Sequence, residues 1–293
     1  MDALQPEAAY EHATHALKIE PHHTPALDAL ADAALALGRV PDALDALKRS
    51  VELQPAGAPE RYMNLGQLHD GADAISYYEA GVRELRAARD ALVNAGGARA
   101  ARAGARGGER HKLASGLCSI AELYLTDACD DERAEDNCER LAAEAVELVS
   151  AFEPQLLIEP YQTQASLRLS QGRNKEAEAL LDRALAINAS TEGGEHHPPL
   201  PLRVSLAKML MEVGRAGDSL ALLQDLRLED DESLELWYLL GCAAQMAGET
   251  GLAAEELEAA IQFAEGDACP PEEAEGWLPM LRELTADFEH DSS

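Results

Sequence analysis

The sequence predicts an all-α fold in which short helix pairs stack into a solenoid, and three observations predict it. Aromatic residues are only 4% of the 293-residue chain. Ala and Leu dominate, which favours closely packed helices over a β-sandwich built from Val, Ile, Thr and aromatics. Marker residues recur at one distance: Pro21 and Pro55 lie 34 apart, as do Gly214 and Gly248. The stretch WYLLGCAAQMAG (237–248) places a large residue, a small one and a helix-ending glycine at spacings that one isolated helix gains little from. A helix stacked against copies of itself gains a good deal.

A 34-residue period is that of the tetratricopeptide repeat, a helix–turn–helix unit. Residues 1–21 hold only the second helix of such a unit (Ala9, Ala13, Ala16, Pro21), so the chain opens in mid-repeat and its start is expected to be truncated or unusual. Residues 24–57 fit throughout: Leu27, Leu30, Ala31 and Ala34 form the first stripe, Gly38 ends it, and Ala43, Leu47 and Ser50 form the second. Residues 59–93 begin with the same pattern, but Gly66 to Ala74 is about one turn short. The Gly/Ala/Arg-rich stretch 94–111 reads as a flexible insertion. Residues 112–154 are long, with the run DACDDERAEDNCE (127–139) expected to extend both helices. Residues 158–191, 200–233 and 234–267 are regular, with STEGGEHHPP (190–199) as a loop between the first two. In the last, Trp237 is a wedge, Gly241 and Ala253 are small where two backbones approach, and Gly248 permits the turn. A final helix follows from Pro271 with Leu281, Leu284 and Phe288 as its buried stripe. Residues 268–293 therefore read as a cap and acidic tail, closing a single array of about seven pairs over 1–293.

The charge balance is 24 basic against 54 acidic residues, a net −30. Such a surface repels nucleic acid and attracts a basic protein. Solubility alone would also account for it. No apolar run approaches the roughly 18 residues of a membrane span. The N-terminus lacks the basic start and apolar middle of a signal peptide, so a soluble intracellular chain is expected, without membrane partners. Five scattered cysteines without a CxxC pair read as reduced thiols.

Solenoids of this type bind through the first helix of each pair. The inward positions carry Asp28, Asp32, Glu60, Glu122, Glu159, Glu212 and Glu235 against Lys208 as the one clear base. Met63, Gln67, Gln162, Met211, Tyr238, Gln245 and Met246 add polar and apolar contacts, with Met63 and Tyr238 read as apolar anchors. This suits a Lys/Arg-rich partner, each pair being weak but additive in a concave field. An acidic chain scatters acids over every face, and the count is hardly above that background. The positions that clamp a C-terminal carboxylate in chaperone-docking repeats read Asp28/Asp32, Gln162/Ser166, Val204/Lys208 and Tyr238/Cys242, so no such docking is expected. His22-His23 and His196-His197 lack further ligands at zinc spacing, and 127–139 lacks the glycine of a calcium loop; neither metal nor cofactor is expected. No GxSxG, P-loop, GxGxxG or HExxH occurs, so no catalytic site is expected. The basic stretch Arg99, Arg102, Arg106, Arg110 and Lys112 has no interleaved aromatics and reads as a loop able to fold onto the acidic body, not as an RNA contact.

The irregular units carry a resemblance. CSIAELYLTDACDDERAEDNCERL (118–141), with YMNLGQLHDGADAISYYEAGV (62–82), QTQASLRLSQGR (162–173), RVSLAKMLMEVG (203–214) and ELWYLLGCA (235–243), resembles the fungal tetratricopeptide chaperones dedicated to large-subunit ribosomal protein four. The resemblance runs in order over roughly 55–290, and 118–127 is its most specific part. It implies a non-enzymatic assembly chaperone that holds a basic internal loop of the new ribosomal protein in the concave face. The client would stay soluble until it reaches pre-ribosomes, with the protein in cytoplasm and nucleus. Glu60, Met63, Glu122, Glu159, Gln162, Glu212 and Glu235 are implicated as a class. The 94–110 insertion and the half-repeat start depart from the pattern. The alternative reading is a general scaffold for a short peptide or partner helix.

Overall fold

Helix pairs form where apolar residues recur at helical spacing and a glycine closes the first helix. The computed structural model describes residues 6–100, 105–150, 157–194 and 196–291, and every regular element among them is an α-helix. In chain order these are α1 (Pro6–Ile19), α2 (Thr24–Ala36), α3 (Val40–Leu53), α4 (Pro59–Gln67), α5 (Gly71–Ala100), α6 (Ala105–Leu125) and α7 (Ala134–Ser150). They continue with α8 (Glu159–Ser170), α9 (Asn174–Thr191), α10 (Leu200–Glu212), α11 (Ala216–Glu229), α12 (Leu234–Ala247), α13 (Thr250–Ala264) and α14 (Pro271–Asp291). The lone α1 thus precedes six complete pairs, and α14 follows them. The chain divides into two compact units, Met1–Pro154 and Gln155–Ser293.

The period shows as a repeated turn. Gly38, Gly172, Gly214 and Gly248 take φ of 68°, 69°, 80° and 83°. In each turn the residue after the glycine donates its N–H to the carbonyl five residues back: Arg39 to Ala34, Arg173 to Arg168 and Arg215 to Leu210 at 2.8 Å, and Glu249 to Ala244 at 2.9 Å. A left-handed residue is what lets that bond close.

The irregular units differ from expectation in two places. α4 has only nine residues against thirteen in α2, which is the missing turn read from Gly66 to Ala74. The stretch 94–111, expected as a loop, is helical on both sides of 101–104: α5 runs on to Ala100 and α6 starts at Ala105. Its Ala and Arg are strong helix formers, and they outweigh the cost of about 1 kcal/mol for each glycine. Residues 101–104 and the side chains of Arg99, Arg102 and Arg106 lie outside those described. The run 127–139 does not extend both helices. α6 ends at Leu125, and Asp131 accepts the Arg133 N–H at 2.8 Å, building a turn before α7 opens at Ala134. The connection after α9 covers 192–199, of which residue 195 is outside the described set.

In the first unit, α2, α3 and α4 close over Leu27, Ala31, Ala46, Leu47 and Leu65. In the second, α12, α13 and α14 close over Leu234, Trp237, Leu257, Ala260 and Leu281, with Leu284 partly buried; the Phe288 side chain is not among those described. Full burial of Leu281 alone is worth about 2 kcal/mol and anchors α14 on this cluster. Trp237 is wedged edge-on to Phe263 at 5.3 Å, with the Arg227 guanidinium 4.3 Å over its ring. Gly241 is small for another reason than expected. Its neighbour is a side chain: an added Cβ would lie 2.7 Å from Leu257 Cδ2. One repeat earlier, at the positions equivalent to Ala253 and Gly241, Ser219 Oγ donates to the Ala207 carbonyl at 2.9 Å and ties the two helices of that pair together.

Candidate binding surfaces

Three first helices carry an acid in the opening turn. Glu60 opens α4, Glu159 opens α8 and Glu235 opens α12. A carboxylate there meets unpaired N–H groups and the positive end of the helix dipole, worth about 0.3–1 kcal/mol. Part of the acidic pattern is therefore helix-start chemistry.

In the first unit, Arg61 is only 6% exposed and grips Asp28 with Nε and Nη2, both at 2.7 Å. Its Nη1 donates to the Gln54 carbonyl at 2.6 Å, and Ser50 Oγ donates to Asp28 at 2.6 Å. Asp28 is thus bound into the fold. Asp32, one turn further along α2, is exposed; partial burial first, then the charges of Asp28 and Glu60, push its carboxyl above the ordinary value. Glu60 behaves oppositely. Partial burial pushes its carboxyl up, but a hydrogen bond from Lys112 at 2.5 Å, a backbone N–H, and the charges of Lys112 and Arg61 outweigh it and hold the carboxyl below the usual range. Glu122 is exposed on α6. Met63 is half-buried, and its methyl is packed inside the unit. A Cβ added to Gly81 would lie 2.7 Å from the Met63 methyl, and one added to Gly116 would lie 2.9 Å from it. Those two glycines form the slot that takes the methionine between α5 and α6.

In the second unit, Glu212 is exposed at the end of α10 and Glu159 is half-buried. Glu235 on α12 accepts from Lys208 of α10 at 2.6 Å. Gln162 is 3% exposed, and its amide donates to the Leu202 carbonyl at 2.8 Å. It ties α8 to α10 and is almost wholly covered. Tyr238 is half-buried, with its ring 5.7 Å from that of Trp277 on α14. Burial and the neighbouring Cys242 raise its phenol. Met246 on the same helix is 54% exposed.

The structure therefore groups Asp28, Asp32, Glu60 and Lys112 in the first unit, with Arg61 buried beside them, and Lys208 with Glu235 in the second. Sequence reasoning missed Lys112, which it assigned to a loop, along with Arg61 and Trp277. The opening position of Lys112 in its repeat was the available signal; nothing local in the sequence pairs Arg61 with Asp28, 33 residues earlier. Among the described residues, no group of three or more His, Cys, Asp or Glu could hold a metal ion, and no helix is long and apolar enough to cross a membrane. His23 instead caps α2, its Nδ1 accepting the Ala26 N–H at 3.1 Å. The five cysteines are free thiols.

Comparison with known proteins adds the following. No family model matches the chain. It is 33% identical over 271 residues to a probable assembly chaperone of rpl4 from Emericella nidulans, covering 87% of this chain and 64% of that protein. A second protein of that description, from Schizosaccharomyces pombe, is 33% identical over 219 residues, covering 72% and 60%. The chain thus spans less than two thirds of the length of these curated relatives. Among solved structures, residues 1–338 of the assembly chaperone of RpL4 (Acl4) superpose with a TM-score of 0.71 at 30% identity, over 86% of this chain and 100% of that one. A tetratricopeptide repeat protein from Parabacteroides merdae, 14% identical, shares the fold with a TM-score of 0.53 over 97% and 92% of the two chains.

Proposed function

The chain belongs to the family of assembly chaperones of Rpl4, and we propose that it acts as one by holding a basic internal loop of the newly made ribosomal protein on its first-helix faces. One observation carries the reading: two of the carboxylates assigned to the client already hold lysine ammonium groups. Lys112 sits 2.5 Å from Glu60, and Lys208 sits 2.6 Å from Glu235. A client lysine or arginine would take the same position. Glu122, Glu159 and Glu212 extend the negative field that steers such a client. Tyr238 and Met246 supply apolar contact, while Met63 and Gln162 hold the supporting helices in place. The role is non-enzymatic. A protein polyanion of fixed shape shields a basic client from other polyanions, keeps it soluble in cytoplasm and nucleus, and yields it to rRNA at the pre-ribosome.

Co-expression tests this. Rpl4 should be recovered soluble and in complex with this chain, and Rpl4 lacking its internal loop should not. Equal recovery of both forms would place the contact elsewhere and overturn the reading.

A further inference from the structure

Bases are scarce in this chain, 24 against 54 acids, yet in both units one rests on a carboxylate assigned to the client. The geometry is the same in the two places. Lys112 of α6 reaches back to Glu60 of α4, and Lys208 of α10 reaches forward to Glu235 of α12, so each pair bridges successive first helices. Both lysines are about half exposed, 54% and 49% by side chain, and can swing into solvent without disturbing the core. Arg61 beside Glu60 cannot, being buried and held by both oxygens of Asp28.

We propose that Lys112 and Lys208 are built-in place-holders: they occupy the client's carboxylates when the chain is empty and must be displaced for a basic client to bind. This rests on the chaperone reading above and adds its regulation. Exposed ion pairs contribute little to folding, so the two lysines are not needed to hold the helices. Their effect falls on binding. A client ammonium arriving at Glu60 replaces an ammonium already there, so each contact yields little net attraction. Affinity for any polycation is thereby capped, and on release the chain's own lysine re-occupies the acid, which favours handover. The low position of the Glu60 carboxyl fits a carboxylate already satisfied from within the chain.

The test is calorimetric titration of the full chain with a synthetic peptide of the Rpl4 internal loop, for wild type, Lys112→Gln and Lys208→Gln. Lys48→Gln and Lys175→Gln, exposed lysines of the second helices α3 and α9, change the net charge equally and serve as controls. Each place-holder variant should bind about two- to fivefold more tightly at low salt, the size expected from freeing one exposed pair. The gain should shrink at high salt, and Lys112→Arg should match wild type. Unchanged or weaker binding by both place-holder variants would overturn the proposal, as would equal tightening in the control variants. Binding of the loop by none of the proteins, wild type included, would instead overturn the chaperone reading beneath it.

Discussion

Replacing Gly241 with Ala should destabilise the second unit, although Ala is the better helix former. The added Cβ would lie 2.7 Å from Leu257 Cδ2, 2.8 Å from Cγ and 3.2 Å from Cδ1. Ordinary carbon contacts begin near 3.4 Å, so the whole fork of Leu257 must move, and that residue is fully buried among Leu234, Trp237 and Ala260. The helix-propensity gain is about 1 kcal/mol. Overpacking a core position costs about 1–3 kcal/mol, which leaves a net loss of about 1 kcal/mol for Ala and more for Leu. Gly276 in α14 is the control: it is exposed and has nothing within 4 Å of an added Cβ, so Gly276→Ala should gain about 0.5–1 kcal/mol. Thermal melting followed by circular dichroism reads both, with Tm falling for Gly241→Ala and rising for Gly276→Ala. Adding Leu257→Val to Gly241→Ala should cost less than the sum of the two single changes. An upward shift in both single variants would mean that the space at Gly241 is not filled by Leu257, and would refute the register of α12 on α13.

Reversing Glu159 and Glu235 to Lys should abolish loop binding while far-ultraviolet dichroism stays unchanged; retained affinity would remove these acids from the client surface. Arg61→Met should destabilise the first unit by about 1–2 kcal/mol in urea unfolding, because Asp28 loses a two-pronged partner but stays partly solvated. Neighbouring acids should titrate in opposite directions in carboxyl-carbon NMR: Asp32 above its ordinary 3.8 and Glu60 below its ordinary 4.5. Asp32 then favours folding as pH falls through its raised value. Glu60 stabilises the fold above 4.5 and loses that contribution as pH falls through its lowered value, and Lys112→Gln should move Glu60 upward. Titration of Glu60 at or above its ordinary 4.5 would contradict the Lys112 contact.

What the sequence revealed was whatever a single helix or turn determines. Gly38, Gly214 and Gly248 each close a first helix within a few residues, so spacing alone placed them. Leu281 and Leu284 on α14 were legible for the same reason, since helical periodicity fixes which side of an element is buried. Contacts between elements were less legible. Met63 and Gln162 sit at positions that line the groove in a generic repeat, yet two glycines admit the first between α5 and α6, and a carbonyl of α10 holds the second. Gly81 and Gly116 were visible as residues, but nothing in one dimension says that they line the same slot. The stretch 94–111 misled because its glycines mark a loop by composition, while its Ala and Arg continue a helix. Lys112 was hidden by that error, since a base assigned to a loop is not examined as a partner for Glu60.

The most direct test of the central claim is calorimetric titration of this chain with the internal loop of Rpl4, against a charge-matched scrambled loop, at low and at high salt. The account predicts tight binding of the true loop alone, weakened but not eliminated by salt, because Tyr238 and Met246 add contacts that salt does not screen. Equal binding of both loops, vanishing with salt, would contradict it and leave a charged surface without a dedicated client.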